Sequence, residues 1–326
     1  MEIKRGWRFG VNRWLVLLFI VLNVVAVSAF PPLRPHIQLP PEPISGPFFP
    51  VFGQPFYLTN TLLATLVADI LLLLIGFGVW RAARSGELVP KGISGAVEAF
   101  IEILYNLTES TAGKWAKTIF PFFATITLLV LVLNWMELIP GVDSIGWLDE
   151  HHIPHPEECT FTKTIFGATA VGGDSECAAG VVPFLRATAT DLNFTLALAL
   201  IAVVMTQAIG VRAQGIGYFT KFINTKTFFT KPIFGVIDFG VGILEMVSEF
   251  SKILSFAFRL FGNIFAGAVL LFVIGTLVPV FAQTPFLMLE FFVGAIQAVV
   301  FGLLTMTFMA QATQSHGHEE AHEESH

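Results

Sequence analysis

Charge is scarce in this chain. Only 13% of its 326 residues are Asp, Glu, Lys or Arg, about half the share of an ordinary soluble domain. A surface facing water on every side is thereby excluded, and with it a soluble enzyme. Positive charge is the scarcer sign: 18 Lys and Arg stand against 24 Asp and Glu, a net charge of -6. That balance lacks the basic field on which nucleic-acid binding rests. Two cysteines are too few for a disulfide framework or for a zinc site of four thiolates. What is abundant is apolar. Hydrophobic residues make up 54% of the chain, 34 of them Phe, and mean hydropathy is +0.73. The expected class is an all-α polytopic membrane protein.

Residues 1–29 place Lys4, Arg5, Arg8 and Arg13 before an apolar run from Trp14 to Val27 that ends in Ser28 and Ala29. This layout reads as a signal peptide cleaved after Ala29 or as an uncleaved N-terminal anchor. In both readings the next segment begins outside. Residues 30–58 hold nine prolines and predict an irregular, extended external arm. The membrane domain spans 59–312, with five apolar stretches near 59–80, 118–139, 191–211, 233–281 and 285–312. The fourth is too long for one upright pass and must tilt, bend or break, with Gly240, Gly242, Gly262 and Gly267 available for a break or for close packing.

Connecting charges orient the passes. Residues 81–117 carry Arg81, Arg84, Lys91, Lys114 and Lys117, and 212–232 carry Arg212, Lys221, Lys226 and Lys231 with no acid, so both read as cytoplasmic. Residues 142–190 hold seven acids against Lys163 and Arg186, which suits the outer side. Five passes from an external start put the C-terminus, with its His- and Glu-rich tail 313–326, in the cytoplasm. Within the first cytoplasmic loop, residues 92–112 space Ile93, Val97, Phe100, Ile101, Leu104 and Leu107 as a helical stripe. It suits either an amphipathic helix on the membrane surface or a core-facing one.

Ionisable groups inside lipid segments cost a few kcal/mol each and mark function by default. They gather in the fourth stretch: Asp238, Glu245, Glu249, Lys252 and Arg259, followed by Asn263. Steps of 4, 3, 7 and 4 from Glu245 to Asn263 keep them on one helix face. Glu249 and Lys252 are also spaced to pair with each other, which would make them structural. Arg259 has no acid within a turn of its own helix. Because a guanidinium does not release its proton in the working range, Arg259 suits a barrier and not a relay.

The run Phe258-Arg259-Leu260-Phe261-Gly262-Asn263-Ile264-Phe265-Ala266-Gly267 resembles the signature of subunit a of the F-type ATP synthase. Also in that family's order are Glu87-Leu88-Val89-Pro90-Lys91-Gly92, Pro121-Phe122-Phe123 running to Asn134 and Leu138-Ile139-Pro140-Gly141, Asp191-Leu192-Asn193-Phe194-Thr195, Gly215-Ile216-Gly217-Tyr218 and Gln297. The likeness covers residues 55 to 312 or so. It implies a non-catalytic, proton-conducting stator of the Fo sector in a bacterial cell (inner) membrane, without cofactor. The implied partners are c-ring subunits, peripheral-stalk b subunits and the rest of the F1Fo complex. In this family a ring carboxylate takes a proton from one half-channel, crosses lipid neutral, and releases it into a second. The essential arginine separates the two and favours an ionised carboxylate beside it.

Topology distributes the residues between the half-channels. Glu245, Ser248, Lys252 and Ser255 precede Arg259 and fall in the cytoplasmic half. Asn263, Glu290 and Gln297 fall in the outer half, with Asp143, Asp191 and Asn193 as candidates near its mouth. For Asp191 and Asn193, capping of the third pass is an equal reading. The family often has an ionisable group just after the Gly267 position; this chain has Ala268 there, leaving Glu290 alone or with bridging water. Asp69, inside the first pass, is either a compensating group or a structural hydrogen-bonding one.

Other signals carry less. The tail matches H-E-x-x-H at His318 to His322 and at His322 to His326, but a terminal acidic tail offers neither a buried helix nor a third ligand, and no metal site is expected there. His151, His152 and His155 near Cys159 are a weak metal pattern. Cys159 and Cys177 lie in the external loop and are either bridged, which would contribute on the order of 3 kcal/mol, or free thiols. Asn106-Leu107-Thr108 and Asn193-Phe194-Thr195 match the glycosylation triplet away from any lumenal loop. The alternative function is a secondary ion transporter with a midplane Arg/Glu site, which would call for internal repeats that this sequence lacks. A purely structural anchor would leave Arg259 without a purpose.

Overall fold

In a computed structural model of the chain the described residues are 14, 17, 18, 20–22, 24, 25, 41–44, 46, 49–51, 53–84, 93–139, 145–148, 160–163, 169–172, 181–215, 217, 218, 232–277 and 283–314. Five apolar segments predicted five passes, and five helices among these residues are long and apolar enough to cross a membrane. They fall in α1 (Asn60–Arg84), in the stretch Gly95–Glu137 that takes in α2 (Ile93–Ala112) and α3 (Ala116–Glu137), and in α4 (Leu192–Gln214), α5 (Pro232–Leu277) and α6 (Gln283–Ala312). The chain divides into two compact units.

The larger unit comprises residues 61–137, 187–264 and 293–326. Its central cluster is built from Ile126 and Val130 of α3, Leu198, Ala199, Ala202 and Val203 of α4, Phe256, Ala257, Leu260 and Ile264 of α5, and Ala298 and Phe301 of α6. Small residues on α4 let helices approach where lipid supplies no hydrophobic drive. A second cluster joins Leu104 of α2 to Ile119 and Phe123 of α3, Ile209 of α4, and Met306, Met309 and Ala310 of α6. Of the two readings of the 92–112 stripe, Leu104 therefore takes the core-facing one, while Ile103 stays 63% exposed. A short 3-10 turn, Gly113–Trp115, links α2 to α3 and begins at a φ of +52°, where a side chain would be strained.

The fourth stretch is a single helix of 46 residues, about 69 Å long. None of its glycines interrupts it, so of the three expected outcomes a break is not taken. Its only proline, Pro232, stands at the first helical position, where the missing N–H costs nothing.

The smaller unit comprises residues 1–60, 138–186 and 265–292. Here the expectation of an irregular arm over 30–58 needs correction. Phe49–Val51 (β1) pairs antiparallel with Gln54–Phe56 (β2) in a hairpin whose turn holds Gly53 at a φ of +82°. The prolines that argued against a strand are tolerated because this ladder has only two strands, so each has a free edge. Further two-stranded ladders join Gly146–Leu148 (β3) to Val181–Pro183 (β6) and Thr160–Lys163 (β4) to Thr169–Gly172 (β5). The Glu87–Gly92 motif, Asp143, His151, His152, His155, Cys159, Cys177, the tail from Ser315 and most of 1–29 lie outside the described residues.

Candidate functional site

The site is built on α5. Arg259 is half-buried, and Phe256, Ala257 and Leu260 on the same helix are each at 3% exposure or less. Its Nη2 donates to Ser255 Oγ, one turn earlier, at a long 3.4 Å. Among the described residues no carboxylate pairs with this guanidinium.

On the N-terminal side of Arg259 the polar seam is tied across helices. Lys252 Nζ donates to Glu249 Oε1 at 2.8 Å, and Gln207 Nε2 of α4 donates to Glu249 Oε2 at 2.9 Å. The Lys252 ammonium also lies 4.6 Å from the centroid of the Phe308 ring, within cation–π range. The pairing reading of Glu249 and Lys252 is thus the geometry observed. Glu245 is partly buried, and Ser248 and Ser255 are exposed along the same helix. The side chain of Asp238 is not described.

On the other side of Arg259, Asn263 Nδ2 donates to Gln297 Oε1 of α6 at 2.8 Å. Gln297 is buried, and its Nε2 hydrogen-bonds to no described atom. The neighbouring Asn134 of α3 donates through Nδ2 to the Gly294 carbonyl at 3.0 Å, while its buried Oδ1 is left unmet. Gly294 permits that approach, since a Cβ there would stand 3.1 Å from the Cβ of Asn134.

Glu290 belongs to the smaller unit. It is 6% exposed and lies against Gly267, its carboxylate oxygens filling the place a Cβ on residue 267 would take. Its Oε1 finds no partner among the described residues.

Asp191 takes the capping reading. Its Oδ1 accepts from the Asn193 backbone N–H at 2.9 Å and its Oδ2 from Thr61 Oγ1 at 3.2 Å, so one buried carboxylate starts α4 and ties it to α1. Asn193 itself is exposed. Asp69 departs from the structural reading: it is exposed on α1 and hydrogen-bonds to no described residue. Its face of the helix points away from the residues α1 buries, which are Asn60, Thr61, Ala64 and Ala68.

Sequence reasoning did not single out Gln207, and quoted Tyr218 and Asn134 only within motifs. Gln207 carries a usable signal, because an amide midway along a span of apolar residues is as costly to leave unpaired as any other polar group there.

Residues 62–310 match the family described as ATP synthase A chain. Among similar proteins, ATP synthase subunit a of Gloeobacter violaceus is 31% identical over 258 residues, 79% of this chain and 85% of the relative. That of Mycobacterium ulcerans is 30% identical over 261 residues, covering 78% and 87%. That of Moorella thermoacetica is 26% identical over 265 residues, covering 81% and 94%. With three quarters of its length inside the match, the chain belongs to the ATP synthase A chain family.

Proposed function

We propose that the chain is the stator side of a proton path in which two offset half-channels meet the carboxylates of a rotating c-ring, with Arg259 between them. Family membership supports the Fo proton-channel role. The observation that carries the finer reading is the state of Arg259. This permanent cation lies within an apolar helical unit, and no described carboxylate neutralises it. An unpaired charge within an apolar span is expensive, so its partner is expected from outside the chain, and a rotor carboxylate passing at bilayer depth would supply one.

Residues on either side fit the two inlets. Glu245, Ser248, Lys252 and Ser255 precede Arg259 and are assigned to the cytoplasmic half-channel. Asn263 and Gln297 follow it and are assigned to the outer one, with Glu290 two helical turns before Gln297 on the same face of α6 as the ionisable member. Buried polar atoms such as Gln297 Nε2 and Asn134 Oδ1 are ordinarily satisfied by water when protein does not reach them, and water is the medium that a half-channel requires. Asp191 is read as a cap rather than a conducting group.

The mechanism follows from charge. A ring carboxylate protonated from the outer inlet is neutral and can cross lipid. After it releases its proton on the cytoplasmic side it is ionised, and Arg259 favours that form while repelling a free proton. The membrane potential supplies about 2.3 kcal/mol per charge per 100 mV. Membrane passes, positive loops and an external start together favour a cytoplasmic C-terminus. The rotor and the peripheral stalk are the proposed partners.

The test is Arg259→Ala in the assembled complex. ATP-driven acidification of inverted vesicles is expected to be abolished while the c-ring still co-purifies; coupled pumping at the parental rate would overturn the reading.

A further inference from the structure

A chain of three hydrogen bonds ends on Lys252 and joins it to Tyr218, Gln207 and Glu249, three residues that the half-channel reading leaves unexplained. Tyr218 is 3% exposed and lies just beyond the C-cap of α4 at Gly215. Its ring rests on Gly210, where a Cβ would come within 2.5 Å of Tyr218 Cε2. From that seat Tyr218 Oη donates to Gln207 Oε1 at 2.7 Å. Gln207 Nε2 in turn donates to Glu249 Oε2 at 2.9 Å, and Glu249 Oε1 accepts from Lys252 Nζ at 2.8 Å. The carboxylate only accepts, so Gln207 turns its NH2 to Glu249 and its oxygen to Tyr218, whose hydroxyl then holds the amide in that sense.

Lys252 stands seven residues from both Glu245 and Arg259, and so at the middle of the seam, about 10 Å along the helix from each. An unpaired ammonium there would attract an ionised carboxylate brought past it and hold it short of Arg259. Paired with Glu249 the two charges cancel, and the Phe308 ring at 4.6 Å covers another side of the cation. The side chains of Lys252 and Glu249 are only 21% and 12% exposed, so water does little to screen the cation if its partner moves away.

We propose that Gln207 and Tyr218 are positioning residues: they fix the Glu249 carboxylate so that Lys252 stays paired with it and out of the path of the rotor carboxylate between Glu245 and Arg259. This inference rests on the half-channel reading. It also accounts for a buried tyrosine and a mid-helix amide that neither conduct nor line the barrier.

The experiment compares Gln207→Leu and Tyr218→Phe, each with Lys252 intact and each combined with Lys252→Gln. The assay is ATP-driven acidification of inverted vesicles, normalised to complex that retains the c-ring. With Lys252 present, Gln207→Leu is expected to pump roughly tenfold slower, the factor set by its lost charge-assisted hydrogen bond to Glu249, and Tyr218→Phe about fivefold slower, since the bond it loses is neutral. Combined with Lys252→Gln, each is expected to pump at the rate of Lys252→Gln alone, because no cation remains to be released. Additive slowing in the double variants would indicate a packing role and overturn the inference, as would parental rates in both singles. Should Gln207→Leu fail to assemble, Tyr218→Phe, which removes one oxygen, decides by itself. Arg259→Ala run alongside separates the two levels. If it pumps normally the half-channel reading falls; if it is blocked while the double variants slow additively, only the present inference falls.

Discussion

Gly267→Ala separates conduction from stability. The added methyl would enter the place filled by the carboxylate oxygens of Glu290. The obstructing atoms are the tip of a flexible side chain, so the helices need not move and the carboxylate swings away. Two small terms then oppose each other in folding. Alanine is favoured over glycine inside a helix by about 1 kcal/mol, and an off-rotamer Glu290 costs on the order of 0.5–1.5 kcal/mol. The net change in stability is therefore within about 1 kcal/mol of zero. Function is less forgiving, since a displacement of about 1 Å in a reacting group can cost on the order of a hundredfold in rate. The expected result is a complex with a near-parental thermal midpoint in detergent, normal c-ring content and proton pumping slowed tenfold or more. Glu290→Asp in the same background, being shorter by one methylene, should recover part of the rate. Parental pumping by Gly267→Ala, or a loss that merely tracks the amount of assembled complex, would refute the reasoning.

Two further changes test the helical unit. Gly302→Ala would drive a methyl onto Thr127 Oγ1 and within 2.9 Å of Phe123 Cε2; overpacking of this kind costs about 1–3 kcal/mol, read as a lower thermal midpoint that Thr127→Ala partly restores. Asp191→Ala removes the cap of α4 and the acceptor for Thr61, a loss of about 1–2 kcal/mol, whereas Asp191→Asn keeps an acceptor oxygen and should retain most of the stability on the same measurement.

The passes were legible because each is written in the chain as a long, predominantly apolar run, and lipid leaves the backbone no alternative to a helix. The seam from Glu245 to Asn263 was legible for a related reason: helical periodicity alone places those residues on one face. What the residues touch was not legible. Gln207 lies 42 residues from Glu249 and Asn134 lies 160 from Gly294, separations at which pairing depends on how helices pack. Glu249 illustrates the limit. Its spacing announced the Lys252 pair, but nothing local announced the amide of α4. The β1–β2 hairpin was missed because proline reads as a strand breaker, and a two-stranded ladder with free edges is where that rule relaxes. Asp69, left open between two readings, shows the reverse: a carboxylate in a span leads one to expect a partner, yet the described part of the chain does not provide one.

The uninterrupted run of α5 acts as a ruler. Eighteen residues separate Glu245 from Asn263 on one rigid rod, about 27 Å along its axis, and no loop between them can slacken. Rocking or inclining the rod moves Glu245 and Asn263 together and preserves their spacing. Their separation is thereby written into covalent geometry, and a one-residue deletion between Lys252 and Asn263 would turn everything beyond it by about 100°, taking Asn263 off the face that carries Glu245 and Lys252.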